Sequence, residues 1–310
     1  MGFPSDRDVA RDSSSAYAAG VRITHPNRVM YAEVGLTKLE LARYYERIGA
    51  HMVPHTRGRP LTLVRCPTGL AGGCFYMRHS GVWAPSALKR VRIQEKTKVG
   101  EYLVADSVEA LVSLVQMDVL EIHTWNSRVG SVDRPDRLVF DIDPGPAVPW
   151  TSIVQAARIV RDSLEAFELQ AFLKTTGGRG LHIVVPIAPG PDWSECLAFA
   201  RGLAELITRH DPARFTTRFA KTGREDKILI DYLRNNRTNT SIAAYSMRAR
   251  AGAPVSMPLS WKELGPRLRP ERFTVNTAER RLARVGDPWA DYWKCRQRLT
   301  PAMTRAIRVA

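Results

Sequence analysis

The middle of the chain contains an apolar run that ends in two acids, Leu138-Val139-Phe140-Asp141-Ile142-Asp143-Pro144-Gly145. The run predicts a buried β-strand, and because strand side chains alternate between faces, Asp141 and Asp143 project together. Adjacent carboxylates repel unless a proton or cation neutralises them, and Mg²⁺ and Mn²⁺ prefer such oxygen ligands. Pro144-Gly145 ends the strand near an open surface. The pattern predicts a metal site, although two solvated acids at a strand end would give the same sequence.

A D-x-D pattern is also typical of phosphatases of the haloacid dehalogenase class, where the first Asp is a nucleophile and the second an acid/base. Those enzymes usually carry it near the start of the chain, with Thr or Val two residues further on. Here it stands at 141–143 and is followed by Pro-Gly. This position weakens the phosphatase hypothesis, which stays open at this point.

A glycine-rich turn precedes an alternating strand in Thr175-Thr176-Gly177-Gly178-Arg179-Gly180-Leu181-His182-Ile183-Val184-Val185. Small residues let backbone N–H groups approach phosphate oxygens, and Arg179 adds positive charge. Alone, such a turn is more often only a tight turn, and a strand histidine such as His182 is more often structural. The stretch is a candidate phosphate site only in combination with other features.

A lone acid interrupts a later apolar run, Lys227-Ile228-Leu229-Ile230-Asp231-Tyr232-Leu233-Arg234-Asn235-Asn236. Asp231 would be costly to ionise inside a buried strand without a partner. A metal already held by Asp141 and Asp143 would supply that partner. A salt bridge to one of the many arginines is the alternative.

The order of predicted elements is mixed. Thr37-Lys38-Leu39-Glu40 has the capping-box pattern and predicts a helix to about Val53. Further strands are predicted at 59–65, 137–143, 171–175, 181–186, 227–233 and 238–247, and further helices at 107–119, 150–168 and 194–210. Hairpin-like strand pairs beside strand–helix–strand units favour an α+β (mixed α/β) fold, with mixed sheets flanked by helices, over a doubly wound parallel sheet.

Composition suggests where the ordered domain begins and how it is divided. Residues 1–20 are rich in Ser, Asp, Arg and Ala and predict a disordered lead-in or linker. Residues 21–300 are expected to form the main domain. We expect a smaller N-terminal lobe at about 21–120 and a catalytic lobe at about 121–300.

The charge balance points to a polyanionic partner. The chain has 46 Lys plus Arg against 31 Asp plus Glu, a formal net charge of +15. Such an excess usually serves nucleic acid, although surface charge can also serve solubility alone. No apolar stretch resembles a signal peptide or reaches the ~18 residues of a membrane span. We expect a cytoplasmic, nucleoid-associated protein that does not bind membranes.

The four cysteines show no metal-ligand spacing. Cys66, Cys74, Cys196 and Cys295 form no C-x-x-C pair, and no histidine cluster completes a zinc set. For an intracellular protein the expected state is therefore reduced thiols.

The three motifs together resemble those of the archaeo-eukaryotic primase superfamily: D-x-D, a strand histidine after a small-residue turn, and a late Asp. The resemblance is closest to the polymerase domain of bacterial ligase D and extends from about Val21 to Trp293. The additional stretches that carry it are Val21-Arg22-Ile23-Thr24-His25-Pro26-Asn27-Arg28-Val29, Arg59-Pro60-Leu61-Thr62-Leu63-Val64-Arg65-Cys66-Pro67, Glu121-Ile122-His123-Thr124-Trp125-Asn126, Asp231 to Arg250, and Asp287-Pro288-Trp289.

The resemblance implies a template-dependent nucleotidyltransferase. Asp141, Asp143 and Asp231 would hold two divalent ions, commonly Mn²⁺ with Mg²⁺ as the alternative. The metals would lower the pKa of the primer 3′-hydroxyl and neutralise the triphosphate and the leaving pyrophosphate. The positions implied to contact the incoming nucleoside triphosphate are His123, Thr176, Gly177, Arg179, His182, Arg224 and Arg248.

The resemblance also implies how DNA is held. Arg28 and Lys38 match positions that bind the 5′-phosphate at a gap, and Phe75 and Tyr76 match an aromatic pair on which a template base stacks. The implied task is to fill gaps and extend broken ends, with a preference for ribonucleotides, in non-homologous end joining of double-strand breaks. The implied partners are Ku and a DNA ligase domain or protein. Because no K-x-D-G adenylation motif is present, we expect a stand-alone polymerase or one piece of a larger enzyme.

A few positions depart from the common family pattern. Thr176 stands in place of Ser and keeps a hydroxyl group. Arg179 and Arg28 stand in place of Lys, which keeps the charge but changes its geometry. Asn239 falls where some relatives have Lys, which puts one expected charge in doubt.

Three functional hypotheses follow: the metal-dependent polymerase, a phosphohydrolase with Asp141 as nucleophile, and a non-catalytic DNA-end-binding protein. The retained aspartates argue against the third hypothesis. The charge and the extent of the resemblance argue against the second.

Overall fold

The computed structural model describes residues 16–81 and 83–309, so residues 1–15 of the predicted lead-in lie outside it. The strands are β1 Ala16–Ala18, β2 Val21–Ile23, β3 Val29–Tyr31, β4 Leu36–Thr37, β5 Leu61–Arg65, β6 Phe75–Met77, β7 Lys89–Gln94, β8 Val99–Val104, β9 Val119–Thr124, β10 Arg137–Pro144, β11 Phe172–Thr175, β12 Leu181–Pro186, β13 Phe215–Thr216, β14 Ile228–Asp231, β15 Ser241–Ile242 and β16 Pro258–Leu259. The helices are α1 Lys38–Thr56, α2 Val108–Gln116, α3 Trp150–Glu165, α4 Trp193–His210, α5 Val275–Val285 and α6 Pro301–Val309.

The larger sheet has six strands in the order β13-β14-β10-β12-β11-β16. Strand β10 lies inside this sheet and pairs antiparallel with both neighbours, whereas β13 and β14 are parallel. Helices α3 and α4 pack against β10, which explains why Phe140 and Ile142 are fully buried. Mixed strand directions with flanking helices confirm the predicted α+β (mixed α/β) class.

The smaller sheet has four strands in the order β15-β9-β5-β6. Its edge strand β15 comes from the chain beyond β14, so it connects the N-terminal part of the molecule to the segment that follows Asp231. A buried ion pair adds a second connection, since Arg59 donates to both carboxylate oxygens of Asp136 at 2.7 Å, just before β10. The proposed lobe boundary near residue 120 stays a prediction.

The capping box that predicted α1 is present. The Thr37 hydroxyl accepts from the backbone N–H of Glu40, and the Glu40 carboxylate accepts from that of Thr37. The helix continues three residues beyond the predicted end at Val53. In the described part of the chain, no helix is long and apolar enough to cross a membrane.

Order begins earlier than the sequence predicted. Residues 16–20 were assigned to the disordered lead-in, but β1 pairs antiparallel with β2. Ala19 and Gly20 connect the strands with φ of 46° and 78°, as two-residue hairpin turns require. Ala18 and Ile23 are buried, and this burial holds the hairpin in place.

The predicted strand at 238–247 was wrong over most of its length. Only Ser241–Ile242 is a strand. Thr238 and Tyr245 have φ of 69° and 68°, which turns the backbone out of the extended conformation on both sides of β15. The segment instead turns back on the chain that follows it, with Met247 bridged to Val255.

The expectation of four reduced thiols was also wrong, because Cys66 and Cys74 form a disulfide. Cys66 directly follows β5 and Cys74 directly precedes β6, and the hairpin register pairs Arg65 with Phe75. The hairpin therefore brings together two cysteines eight residues apart. Because this spacing belongs to no metal-binding motif, the sequence analysis gave no sign that the two would meet. Cys196 and Cys295 are free.

Candidate active site

Three predicted site residues lie side by side on neighbouring strands of the larger sheet. Asp141 on β10 stands directly opposite His182 on β12 and directly opposite Asp231 on β14. Asp143 follows two residues later and therefore projects from the same face. Gly145 then passes so close to the backbone of 224–225 that a Cβ atom there would lie 2.2 Å from a carbonyl oxygen. The sequence motifs thus converge at one end of β10.

Two arginines neutralise these acids. The Arg234 guanidinium lies between two carboxylates, 3.1 Å from Asp141 Oδ2 and 3.1 Å from Asp231 Oδ2. Arg224 pairs with Asp143 at 2.9 Å. Within residues 16–81 and 83–309, no three His, Cys, Asp or Glu side chains form a ready-made ligand cluster. The acids face cationic side chains instead, as adjacent buried carboxylates require.

The two facing acids differ in proton affinity. Burial acts to raise the pKa of Asp141, but His182 and Arg234 outweigh it and hold that pKa below its usual range. For Asp231, burial and the neighbouring Asp141 and Asp143 outweigh Arg234 and raise the pKa to about 6. With its pKa this close to pH 7, the ionised form of Asp231 is stabilised by any additional cation in the site.

His182 is a neutral, buried histidine. Burial and the nearby Lys174 charge lower the pKa of His182 to about 3, against the opposing effect of Asp141. Its Nε2 atom lies 3.4 Å from Asp141 Oδ1, whereas its buried Nδ1 atom has no hydrogen-bond partner among the described residues.

Lys174 extends this row of residues and was missed by the sequence analysis. It stands opposite His182 on β11, so Asp231, Asp141, His182 and Lys174 cross four adjacent strands in register. Its ammonium donates to the Ser256 hydroxyl at 2.7 Å. Burial lowers the pKa of Lys174 well below its ordinary value. A lysine inside an apolar strand is the signal that could have identified it.

The glycine-rich turn borders the row formed by Asp231, Asp141, His182 and Lys174. Gly177 has φ of 73°, and a Cβ atom there would lie 2.4 Å from the Arg248 side chain. The Thr176 hydroxyl faces inward, where it donates to the Gly180 carbonyl and accepts from Gly178 N–H. Arg179 folds over the loop after β10 and donates to the carbonyls of Pro146 and Val148.

The smaller sheet contributes the opposite wall. His123 on β9 is bonded to Glu121 at 2.7 Å, and Glu121 also accepts from Arg248 at 2.9 Å. Burial acts to raise the pKa of Glu121, but His123 and Arg248 outweigh it and lower the pKa to about 2. Arg248 also donates to the Thr176 carbonyl at 2.7 Å, so it connects both walls.

These walls enclose an open cavity of about 700 Å³. Predicted site residues that line it are Tyr76, His123, Asp141, Asp143, Thr176, Arg179, His182, Arg224, Asp231 and Arg248. Lining cations that the sequence analysis did not single out are Lys221, Arg234 and Arg250. The sequence feature that could have identified Arg234 is its position three residues after Asp231. Asn239 lies outside the lining and donates to the Leu233 carbonyl.

The predicted DNA-contacting residues are divided between the rim and a separate surface. Tyr76 is 74% exposed at the cavity edge. Phe75, its strand neighbour, does not line the cavity, and the Arg65 guanidinium lies 5.6 Å from its ring centre.

Arg28 and Lys38 are not in the cavity but meet at Asp118, at 3.2 Å and 2.7 Å. Lys38 is only 1% exposed, and burial lowers its pKa, while Arg28 is partly exposed. The pair forms a second cationic site with a built-in carboxylate.

Comparison with known proteins identifies the family. The family model for the LigD primase-polymerase domain matches residues 37–289. The chain is 38% identical over 305 residues to the multifunctional non-homologous end joining protein LigD of Pseudomonas aeruginosa, which covers 97% of this chain and 36% of that protein. It is 35% identical over 256 residues to LigD of Mycolicibacterium smegmatis, covering 82% of this chain and 34% of that protein. The chain thus spans about a third of these relatives.

A solved structure agrees in fold. The polymerase domain of Mycobacterium tuberculosis ligase D, in complex with DNA, superimposes with a TM-score of 0.82 at 31% identity, covering 87% of this chain and 96% of that one. The match supports a nucleotidyltransferase of the primase-polymerase type and favours neither the phosphohydrolase nor the end-binding hypothesis. Sequence, fold and cavity lead to one conclusion: the chain belongs to the LigD primase-polymerase domain family.

Proposed function

We propose that this chain adds nucleotides to a primer 3′-end under the direction of a template strand, filling gaps and extending broken DNA ends. The observation that carries the proposal is the in-register group of Asp141, His182 and Asp231, with Asp143 beside it, in a cavity bordered by arginines. In the reaction, the primer 3′-oxygen bonds to the α-phosphorus of the triphosphate, and pyrophosphate departs.

The family's reaction depends on metal ions, and the donor set fits two divalent cations, Mn²⁺ or Mg²⁺. Three carboxylates from adjacent strands offer the hard oxygen ligands that these ions prefer. When bound, the ions lower the pKa of the primer 3′-hydroxyl and neutralise charge on the triphosphate. For the Oδ2 atoms of Asp141 and Asp231 to ligate them, Arg234 must release those two atoms.

The remaining lining residues fit an incoming nucleoside triphosphate. Arg224, Arg248 and Arg250 present positive charge around the turn at Thr176. Arg224 would exchange its pair with Asp143 for a phosphate oxygen, and His182, neutral at pH 7, would donate or accept one hydrogen bond without adding charge. His123, held by Glu121, would border the ribose or the phosphates.

The DNA would lie across the rim and the Arg28–Lys38 site. Tyr76 offers an exposed ring on which a template base can stack, with Phe75 beside it. A 5′-phosphate at Arg28 would compete with Asp118 for the same guanidinium. A ribonucleotide preference, Ku, a DNA ligase domain and action in end joining of double-strand breaks belong to the same proposal, drawn from the longer relatives.

The topology argues against the phosphohydrolase alternative. Phosphatases with a D-x-D nucleophile place it at the carboxyl end of a parallel strand, beneath connecting loops. Here both strands flanking β10 are antiparallel to it, and Asp141 is bonded to Arg234 and His182 rather than left free to attack.

The proposal is tested with Asp141→Ala in primer extension and in DNA binding measured by fluorescence anisotropy. We expect nucleotide addition to be lost while the dissociation constant for gapped DNA stays near that of the parent chain. Asp291→Ala is the matched control, since this acid is exposed and, among the described residues, pairs with Lys294 alone. Equal loss of binding and addition would mean that Asp141 serves folding instead.

A further inference from the structure

An arginine-rich groove lies around helix α5. It is about 670 Å³ in volume and is lined by five exposed arginines: Arg267, Arg269, Arg272, Arg280 and Arg284. Arg281, which is buried, pairs with Glu263, the groove's acidic lining residue. Among the described residues, none of the five exposed guanidinium groups forms an ion pair, although Arg269 and Arg280 donate to backbone carbonyls.

This arrangement is unfavourable for the isolated chain. Arg280 and Arg284 stand four residues apart on α5, where like charges destabilise a helix. The three loop arginines add to the same local repulsion. A surface that concentrates unpaired cations in a concave shape gains stability when an anion binds there.

The groove is continuous with the catalytic cavity. A connecting cavity of about 560 Å³ shares Gly178, Arg179 and Arg250 with the catalytic cavity and shares Leu268 and Arg269 with the arginine groove. It also contains one carboxylate, that of Glu271. A single track therefore runs from the acids of the active site to helix α5.

Part of the wall of the connecting cavity is apolar. It includes the Trp150 ring, anchored by its Nε1–H to the Gly265 carbonyl at 3.0 Å, and several prolines. Such surfaces pack against the faces of bases, while the arginines beyond them pair with phosphates.

We propose that this track binds an unpaired nucleic-acid strand, the template overhang that extends beyond the catalytic cavity. The identification of the strand as a template rests on the proposed function, whereas the binding of a nucleic-acid strand to the track does not. The overhang's phosphates lie against Arg267, Arg272 and Arg284, and its bases pack along the Trp150 wall.

The test measures binding of primer–template DNA with a template overhang of about 2 or about 12 unpaired nucleotides over a range of salt concentrations. The variant is Arg267→Gln/Arg272→Gln/Arg284→Gln. The matched control, Arg43→Gln/Arg209→Gln/Arg305→Gln, removes the same charge from exposed arginines of α1, α4 and α6 that line none of the three cavities. Circular dichroism and thermal midpoints verify folding.

For the long overhang we expect the salt slope of log Kd to fall by about 2, since each phosphate contact of a single strand contributes about 0.7. The short overhang and the control variant should keep the parent slope. An equal loss on both overhangs, or in both variants, would overturn the inference. If the parent chain adds no nucleotide but still shows the overhang-dependent salt slope, the proposed polymerase function is refuted while strand binding along the track is supported.

Discussion

Replacing Asp231 by Asn should stabilise the protein when metal is absent. Asp231 stands directly opposite Asp141 on the neighbouring strand, and its side chain is 11% exposed. Because its pKa rises from the ordinary 3.8 to about 6, and one pKa unit is worth about 1.4 kcal/mol, the ionised carboxylate costs the folded state about 3 kcal/mol. Asn has the same shape and its oxygen can accept the Leu233 N–H bond that Asp231 now accepts at 2.8 Å.

This cost already includes the attraction of Arg234, which keeps Asp141 as a partner in the variant. We therefore expect a gain of at most about 3 kcal/mol in the free energy of unfolding at about pH 8. The sign follows from proton binding: a raised folded-state pKa means that the parent chain loses stability as pH rises from about 4 to about 6. The advantage of the variant should therefore shrink to nothing near pH 4.

The assay is urea unfolding in EDTA, monitored by tryptophan fluorescence at several pH values for both proteins. Subtracting the two curves isolates Asp231 from the other titrating groups. Added Mn²⁺ should stabilise the parent chain and leave the variant nearly unchanged. A variant that is less stable than the parent at about pH 8, or a difference independent of pH, would refute the view that these acids are held together for a cation.

Three other predictions concern separate parts of the molecule. Arg28→Ala should weaken binding to gaps with a 5′-phosphate more than to gaps without one, and an equal effect on both would contradict the phosphate role. Tyr76→Ala should weaken templated binding by about 1–3 kcal/mol, as measured by anisotropy with an abasic template as the control, on which the variant should lose nothing. Cys66→Ser should lower the free energy of unfolding by about 2–3 kcal/mol without reductant, the entropy expected for a closed loop of eight residues. Reductant should remove that difference, and four reactive thiols in the parent chain unfolded without reductant would contradict the disulfide.

The main features of the site could be predicted because they depend on local patterns. Strand alternation was enough to place Asp141 and Asp143 on one face, and the apolar runs around His182 and Asp231 identified the strands that pair with β10. The capping box of α1 was equally local. These features require only the period of a strand or the bonding of a helix end.

The features that were missed depend on tertiary contacts. Arg234 was one of many arginines, and only the fold brings its guanidinium between Asp141 and Asp231. The burial of Lys38 had no signal in the sequence either: its stem is buried, and its ammonium is bonded to Asp118 and the Gln116 carbonyl. The positive φ of Thr238, at the start of a segment that otherwise resembles a strand, likewise had no signal in the local sequence pattern.

The most direct test of the central claim is single-nucleotide addition on gapped DNA with a 5′-phosphate, using each nucleoside triphosphate in turn with Mn²⁺ or EDTA. We expect that the added nucleotide follows the templating base when that base is changed, that ribonucleotides are preferred, and that EDTA abolishes addition. Addition that ignores the template, addition that persists in EDTA, or no addition together with tight DNA binding would contradict this expectation.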